Sequence, residues 1–261
     1  MKALAKHRAL IDARHEADLV VRLTRALGED RLRFVAQTSA LLADGLHYEE
    51  RIFRHGVIAT RDANTHDLFN ALVWLIHPDL KRALNARQVT DIARVGTKHR
   101  TRGQCALTHF DEAGAIVWLA DPALLRAWDA HDWRAVFLDA ASAWGSTVAV
   151  TVFGHALFDY RLAHRETPVA KALVVACTAA EIAALADGAL IATWTDAERL
   201  LADAIAAGPV LTDPQELRPL PLAGIPGWHD ATQDAAFYAT APCFRPLPSG
   251  RRYPPPFVRP R

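Results

Sequence analysis

The stretch STVAVTVFGHALFDYRLAHRETPVAKALVVAC (146–177) decides the fold. From Ser146 to Phe153 it sets Val148, Val150 and Val152 against Thr147, Ala149 and Thr151. β-Branched residues in alternation mark a strand. Gly154-His155 then turns into a helix that runs to about Ala163, and Val169 to Cys177 is a second apolar strand. Strand, helix, strand over 147–177 predicts a parallel βαβ unit with a right-handed crossover.

Two capping boxes follow, Thr178-x-x-Glu181 and Thr195-x-x-Glu198. Each is expected to open an apolar-periodic helix, closed by Gly188 and Gly208 respectively. From Pro209 onward the chain reads as Pro-rich loop. Upstream, Gln104–Phe110 and Ala115–Leu119 flank DEAG (111–114), which predicts a hairpin. That places Leu107 and Val117 in one sheet with Val150, Val152, Val174 and Val175. Asp121-Pro122 and Asp132 each start a helix. Asn64-Thr65 caps a helix that runs through Leu75, and Pro78 opens a short one carrying Lys81, Leu84 and Asn85.

The first 45 residues read as helices. Leu4, Ile11, Leu19 and Leu23 recur at helical spacing, as do Leu32, Val35, Leu41 and Leu42, with Gly45 as the stop. A loop follows through Gly56 and Arg61. The fold class is α+β: a helical N-terminal part and a small mixed sheet with a βαβ unit, covered by helices. One domain is expected over 1–246, with a Pro/Arg-rich tail over 247–261.

The chain has 261 residues, of which 51% are apolar and 23% charged, and its net charge is +1. Those proportions exclude a disordered or collagen-like protein. Cys105, Cys177 and Cys243 are far apart and form no CxxC, which points to a reducing compartment. Charges at Arg8, His15 and Glu16 interrupt the N-terminus, so it does not read as a signal peptide. The most apolar stretch, Leu173 to Trp194, is broken by Glu181, Asp187 and Gly188, short of the ~20 residues of a membrane span. The expectation is a cytoplasmic protein without a membrane partner. Residues 242–261 hold five arginines, seven prolines and no acid, so the rest of the chain is net acidic. Prolines this dense exclude helix. The tail is expected to be irregular, to lie on the surface and to be removable with little loss of stability. It is only a weak pointer to nucleic acid, because five arginines are a small electrostatic footprint.

Several stretches carry a resemblance: YEERI (48–52), THDLFNALVWLIHPDLKRALNARQ (65–88), LTHFDEAG (107–114), FGHAL (153–157), AKAL (170–173), PLPLAGIPGW (219–228) and CFRP (243–246). With these motifs the chain resembles a bacterial family of uncharacterised proteins, a domain of unknown function. His77 stands where Phe is usual, and Thr65 where an aromatic is common. The resemblance implies no activity.

The polar residues inside those motifs are the candidates for chemistry. His66 and Asn70 share a helix face, and Asp67 neighbours Asn70. A His-Asp dipeptide can bind a divalent metal when further His and Asp residues converge on it, as in metal-dependent phosphohydrolases. His55 lies upstream and Asp111 downstream. The bland alternative makes Asp67 a first-turn acid that suits the helix dipole. His155 follows a strand through Gly154 and heads a helix, a place where ligands gather and backbone N–H groups are free. Asp159 lies four residues on and is expected to orient its imidazole. Lys171 begins the next strand. The expected catalytic residues are therefore His155, His66, Asp67 and Asp111. Asn70, Lys81, Asn85 and Lys171 are expected to bind substrate, and the metal is left open. Asp111-Glu112 also reads as a plain β-turn.

Two classes of function remain. One is an intracellular enzyme acting on an anionic small molecule or phosphoester, with or without a divalent metal. The other is a non-catalytic module for protein or nucleic acid, whose polar residues are structural hydrogen-bond partners. The distance between His66 and His155 separates them. Convergence in one open cleft favours the enzyme.

Overall fold

The computed structural model describes residues 2–163, 167–186 and 191–258. Its strands are β1 (Arg33–Ala36), β2 (Val57–Thr60), β3 (Gly114–Leu119), β4 (Val148–Val152), β5 (Val169–Ala176), β6 (Arg218–Pro221) and β7 (Phe257–Val258). Five of them form one mixed sheet in the order β4-β3-β5-β6, with β7 also paired to β5. Strand β3 is buried along its whole length. Ile116 and Trp118 pack into the core on one face, and Ala115, Val117 and Leu119 into the core on the other. A strand covered on both faces has no reason to alternate, hence the unbroken apolar run AIVWL.

The α+β class holds, and the strands over 148–152 and 169–176 lie in one sheet. Their relation differs from the expected parallel βαβ unit. β4 runs antiparallel to β3, with Ala115 opposite Val152. β5 runs parallel to β3, with Gly114 opposite Lys171. β4 and β5 therefore point in opposite directions with β3 between them. Alternation reveals a strand but not its neighbour, so an intervening strand reversed the relation. One consequence matters for function. β4 finishes at the same end of the sheet where β3 and β5 begin, and helix His155–Leu162 starts there.

The expected hairpin is also corrected. Residues Arg102–Ala113 form a helix that runs directly into β3. Thr101 and Gln104 close a capping box: the Gln104 N–H donates to Thr101 Oγ1, and the Thr101 N–H donates to Gln104 Oε1, both at 2.9 Å. Leu107 lies on this helix and not in the sheet, and with Ala106 and Phe110 it fills the core at helical spacing. His109 is likewise a helix residue. In the N-terminal part, Leu32–Ala36 is not helix, and the loop expected from Gly45 through Gly56 and Arg61 holds helix Tyr48–His55 and strand β2, parallel to β1. Gly56 adopts φ +63°, and a Cβ there would sit 1.8 Å from the Arg31 carbonyl oxygen. The glycine is needed for that close approach.

Helices Thr65–Ile76 and Pro78–Val95 start where their caps predicted, the second running to 18 residues. The Thr178 box forms, with the Glu181 N–H donating to Thr178 Oγ1 at 3.2 Å. Thr195 does not open a helix, because helix Ile191–Ala207 already contains it. Gly188 lies outside the described residues. After Pro209 the chain is not all loop, since β6 and helix Ala235–Thr240 interrupt it.

The C-terminal segment is irregular apart from β7, and it is pinned. Tyr253 OH lies 2.8 Å from His131 Nε2. The buried Arg218 donates to the Pro254 carbonyl at 2.8 Å and pairs with Asp129 at 2.6 Å. Trp133 Nε1 and His131 Nδ1 both meet the Arg245 carbonyl, at 2.7 and 3.1 Å. Those partners are remote in sequence, which is why composition alone made the tail look dispensable. Among the described residues, no helix is long and apolar enough to cross a membrane.

Candidate functional site

Helix ends converge at the sheet end where β3 begins. Helix Thr65–Ile76 is capped by Asn64, whose side chain accepts from the Asp67 N–H at 2.9 Å. It presents His66, Asp67 and Asn70. Helix Pro78–Val95 supplies Lys81 and Asn85, one turn apart and both buried. The last turn of helix Arg102–Ala113 carries Asp111 and Glu112, and His155 is the first residue of its helix. Gly154 is what lets that helix start so close. A Cβ there would lie 2.3 Å from the Gly114 nitrogen and 2.5 Å from Ala113 Cα. All these groups line one polar cleft of about 400 Å³.

At its floor, His66 Nε2 and His155 Nε2 are 3.0 Å apart, from segments 89 residues distant. Glu112 Oε2 lies 3.5 Å from the His155 nitrogen and 3.9 Å from that of His66. These three donor atoms form the compact group able to hold a cation among the described residues. Behind them stands a chain of buried and partly buried polar groups. His155 Nδ1 is buried without a well-formed hydrogen bond, and an Asp111 carboxylate oxygen lies 4.0 Å away. Lys81 Nζ donates to Asp111 Oδ1 at 2.6 Å and to Asn70 Oδ1 at 2.8 Å. Asn70 Nδ2 in turn donates to Tyr48 OH at 2.9 Å.

The electrostatics follow from that packing. Burial pushes the His155 imidazole down to about 4; the Asp111 carboxylate opposes this, and Lys81 and His66 add to it. Burial alone would raise Asp111, but Lys81, then His155, hold its carboxyl below the ordinary range. Glu112 is raised by burial, with Asp111 adding to the effect against His66 and Lys81. Glu49 is raised mainly by burial; the hydrogen bond from Asn85 Nδ2 to its Oε2, 2.6 Å long, works against this.

Of the residues singled out in the sequence, His155, His66, Asp111, Asn70 and Lys81 come together. Asp67 lines the cleft but is engaged by Arg61, whose guanidinium reaches it at 2.7 and 3.0 Å. Asn85 holds Glu49 and its carbonyl. Lys171 does not join them: it sits on β5 opposite Gly114, away from the cleft lining. His55 is also outside the lining. Asp111 takes the place beside the imidazole that helical spacing assigned to Asp159. Glu112, Tyr48 and Glu49 were missed. The hairpin expected over 104–119 makes Asp111-Glu112 a plain β-turn. The Thr101-x-x-Gln104 box was the local signal for the helix that aims it inward. Tyr48 and Glu49 sit in the YEERI stretch, and nothing local marks them as partners of Asn70 and Asn85.

Geometry therefore defines an α+β protein with a two-histidine, one-carboxylate cluster at the mouth of its central sheet. Residues 32–248 match the family described as a protein of unknown function, DUF3025, and the chain belongs to that family. The matched span contains every residue of the cleft. No curated protein and no solved structure matches the chain.

Proposed function

We propose that the protein is an enzyme that acts in this cleft on an anionic small molecule, a phosphoester in the first instance, by hydrolysis or transfer. The single observation that carries the reading is the 3.0 Å approach of His66 and His155 on the floor of an open cleft. A purely structural histidine has both ring nitrogens satisfied, as His131 has between Arg245 and Tyr253. His155 leaves Nδ1 without a well-formed bond, and the two histidines face each other beside a half-exposed carboxylate. Fold stability gains little from such a group, whereas chemistry requires it. Arg100 on the cleft wall suits a negative substrate. In hydrolysis a water oxygen would bond to phosphorus while the ester P–O bond breaks. The proton that the water loses balances the one the leaving oxygen takes up.

A binding module would need these polar groups internally satisfied. Asn70 and Asn85 meet that condition, but His155 Nδ1 does not, and the Glu112 carboxylate beside it is 45% exposed. The test is a panel of phosphomonoester and phosphodiester substrates, assayed with divalent metals supplied. The expected result is turnover that falls about 100-fold or more in His155→Ala with the fold retained. No turnover on any of them, or equal turnover by the variant, would contradict the proposal.

A further inference from the structure

We propose that His66 Nε2, His155 Nε2 and Glu112 form a binding site for one transition-metal dication, zinc in the first instance, with Asp111 as the residue that orients His155. The inference deepens the reading above and rests on the same cleft.

The first argument is spacing. In a tetrahedral zinc site with bonds of about 2.0–2.2 Å, neighbouring donor atoms lie about 3.3–3.6 Å apart. Here the three separations are 3.0, 3.5 and 3.9 Å. They bracket that edge length before any ion has drawn the ligands into line. The donors come from three helices, so the fold built the triangle; no local turn did.

The second argument is the tautomer. Two neutral imidazoles that meet Nε2 to Nε2 satisfy each other only if one donates. Were His155 to donate from Nε2, its buried Nδ1 would turn a bare lone pair toward the Asp111 carboxylate, 4.0 Å away. That contact is repulsive, so the proton belongs on Nδ1 and the Nε2 lone pair faces the cleft. His66 donating to it would leave the Glu112 oxygen beside an imidazole acceptor. A dication at the centre accepts all three lone pairs at once. Carboxylate behind histidine behind metal is a recurring arrangement, because the carboxylate fixes the ring and raises its basicity. Lys81 holds that carboxylate at 2.6 Å, and its own side chain is 95% buried (5% exposed).

Two imidazoles with one carboxylate select against magnesium and calcium, which take oxygen donors. The three ligands leave a fourth position on the open side, where His66 and Glu112 are 36% and 45% exposed. A catalytic zinc needs such a position, and a structural one does not. A metal there would polarise an anionic substrate oxygen.

The experiment measures binding apart from turnover. The full chain is stripped with chelator and titrated with Zn²⁺, and separately with Mg²⁺, by calorimetry with elemental analysis. One equivalent of zinc is expected, and no comparable magnesium binding. Glu112→Gln and His66→Gln alter half-exposed side chains and should each lose that equivalent while melting like the parent. Asp111→Asn should weaken zinc about 10–100-fold, and His131→Gln should leave it unchanged. Absence of stoichiometric zinc in the parent, or its retention by both ligand variants, overturns the metal site. Turnover by chelated protein would also overturn it and leave the enzyme standing. Zinc bound as described, without turnover on any substrate, would uphold the site and sink the phosphoester reading.

Discussion

Lys81 is the buried cation on which the partly buried Asp111 carboxylate depends, at 2.6 Å. Lys81→Met keeps most of the volume and removes the charge. The partly buried carboxylate is left without its counter-ion, a change that costs about 1–3 kcal/mol. Urea unfolding of the variant should show that loss, and a change below about 0.5 kcal/mol would contradict the assigned role. Gly154 acts through space instead of charge. With a Cβ only 2.3 Å from the Gly114 nitrogen, Gly154→Ala must push the His155 helix off the sheet. About 2–3 kcal/mol of destabilisation is expected, together with loss of any activity that needs His155 against Asp111. A variant as stable and active as the parent would show that the approach is dispensable. At this scale the sequence was informative wherever a residue's neighbours decide its role. Asn64 is visible as a cap because the Asp67 N–H it accepts lies within one helical turn, and Pro78 as a first helical residue because its ring fixes its own φ. Glu112 was not visible, because its importance comes from His66 and His155, far away along the chain.

Elements differ in how much of themselves they display. Helix Thr65–Ile76 and strands β4 and β5 are long or regular enough to show a period. β1 and β2 have four residues each, too few to separate strand from helix or loop. The segment before β3 misled because DEAG (111–114), between two apolar stretches, has the composition of a turn, whereas it is the last turn of helix Arg102–Ala113 and the first residue of β3. Links between elements carry their own tests. Arg51, buried in helix Tyr48–His55, holds Asp44 of the preceding turn at 2.6 Å, and this hydrogen-bonded pairing lowers the Asp44 carboxyl to about 2. A depressed carboxyl stabilises the fold above its ordinary value, about 3.9, and the gain disappears as pH falls through the folded value. Between about pH 4 and 2 the parent should therefore lose stability that Asp44→Asn never had. Parallel acid limbs for the two proteins would contradict the pairing. The C-terminal segment is an element held by others. A chain ended at Pro248 loses the Tyr253–His131 and Arg218–Pro254 bonds and β7. If that costs about 2 kcal/mol, its melting point should drop by about 4–8 °C. A truncated chain melting within about a degree of the full one would show that the segment is only draped on the surface.

Across the whole molecule, the sheet organises the chemistry. Because β4 runs antiparallel to β3, it ends where β3 begins. The last turn of helix Arg102–Ala113 and the first residue of helix His155–Leu162 therefore meet at one edge. Helices Thr65–Ile76 and Pro78–Val95 close that edge and complete the cleft. The sequence named most of the participants, including His155, His66, Asp111 and Lys81. Their convergence depends on a strand order that no local pattern encodes. The same convergence is the claim most open to direct measurement. Crystals of the protein grown with one equivalent of zinc can be examined by anomalous diffraction at the zinc edge. The account predicts one strong peak about 2.0–2.2 Å from His66 Nε2, His155 Nε2 and a Glu112 carboxylate oxygen, with Asp111 beside His155 Nδ1. A map with no peak there, and the two imidazoles still in direct contact, would contradict it.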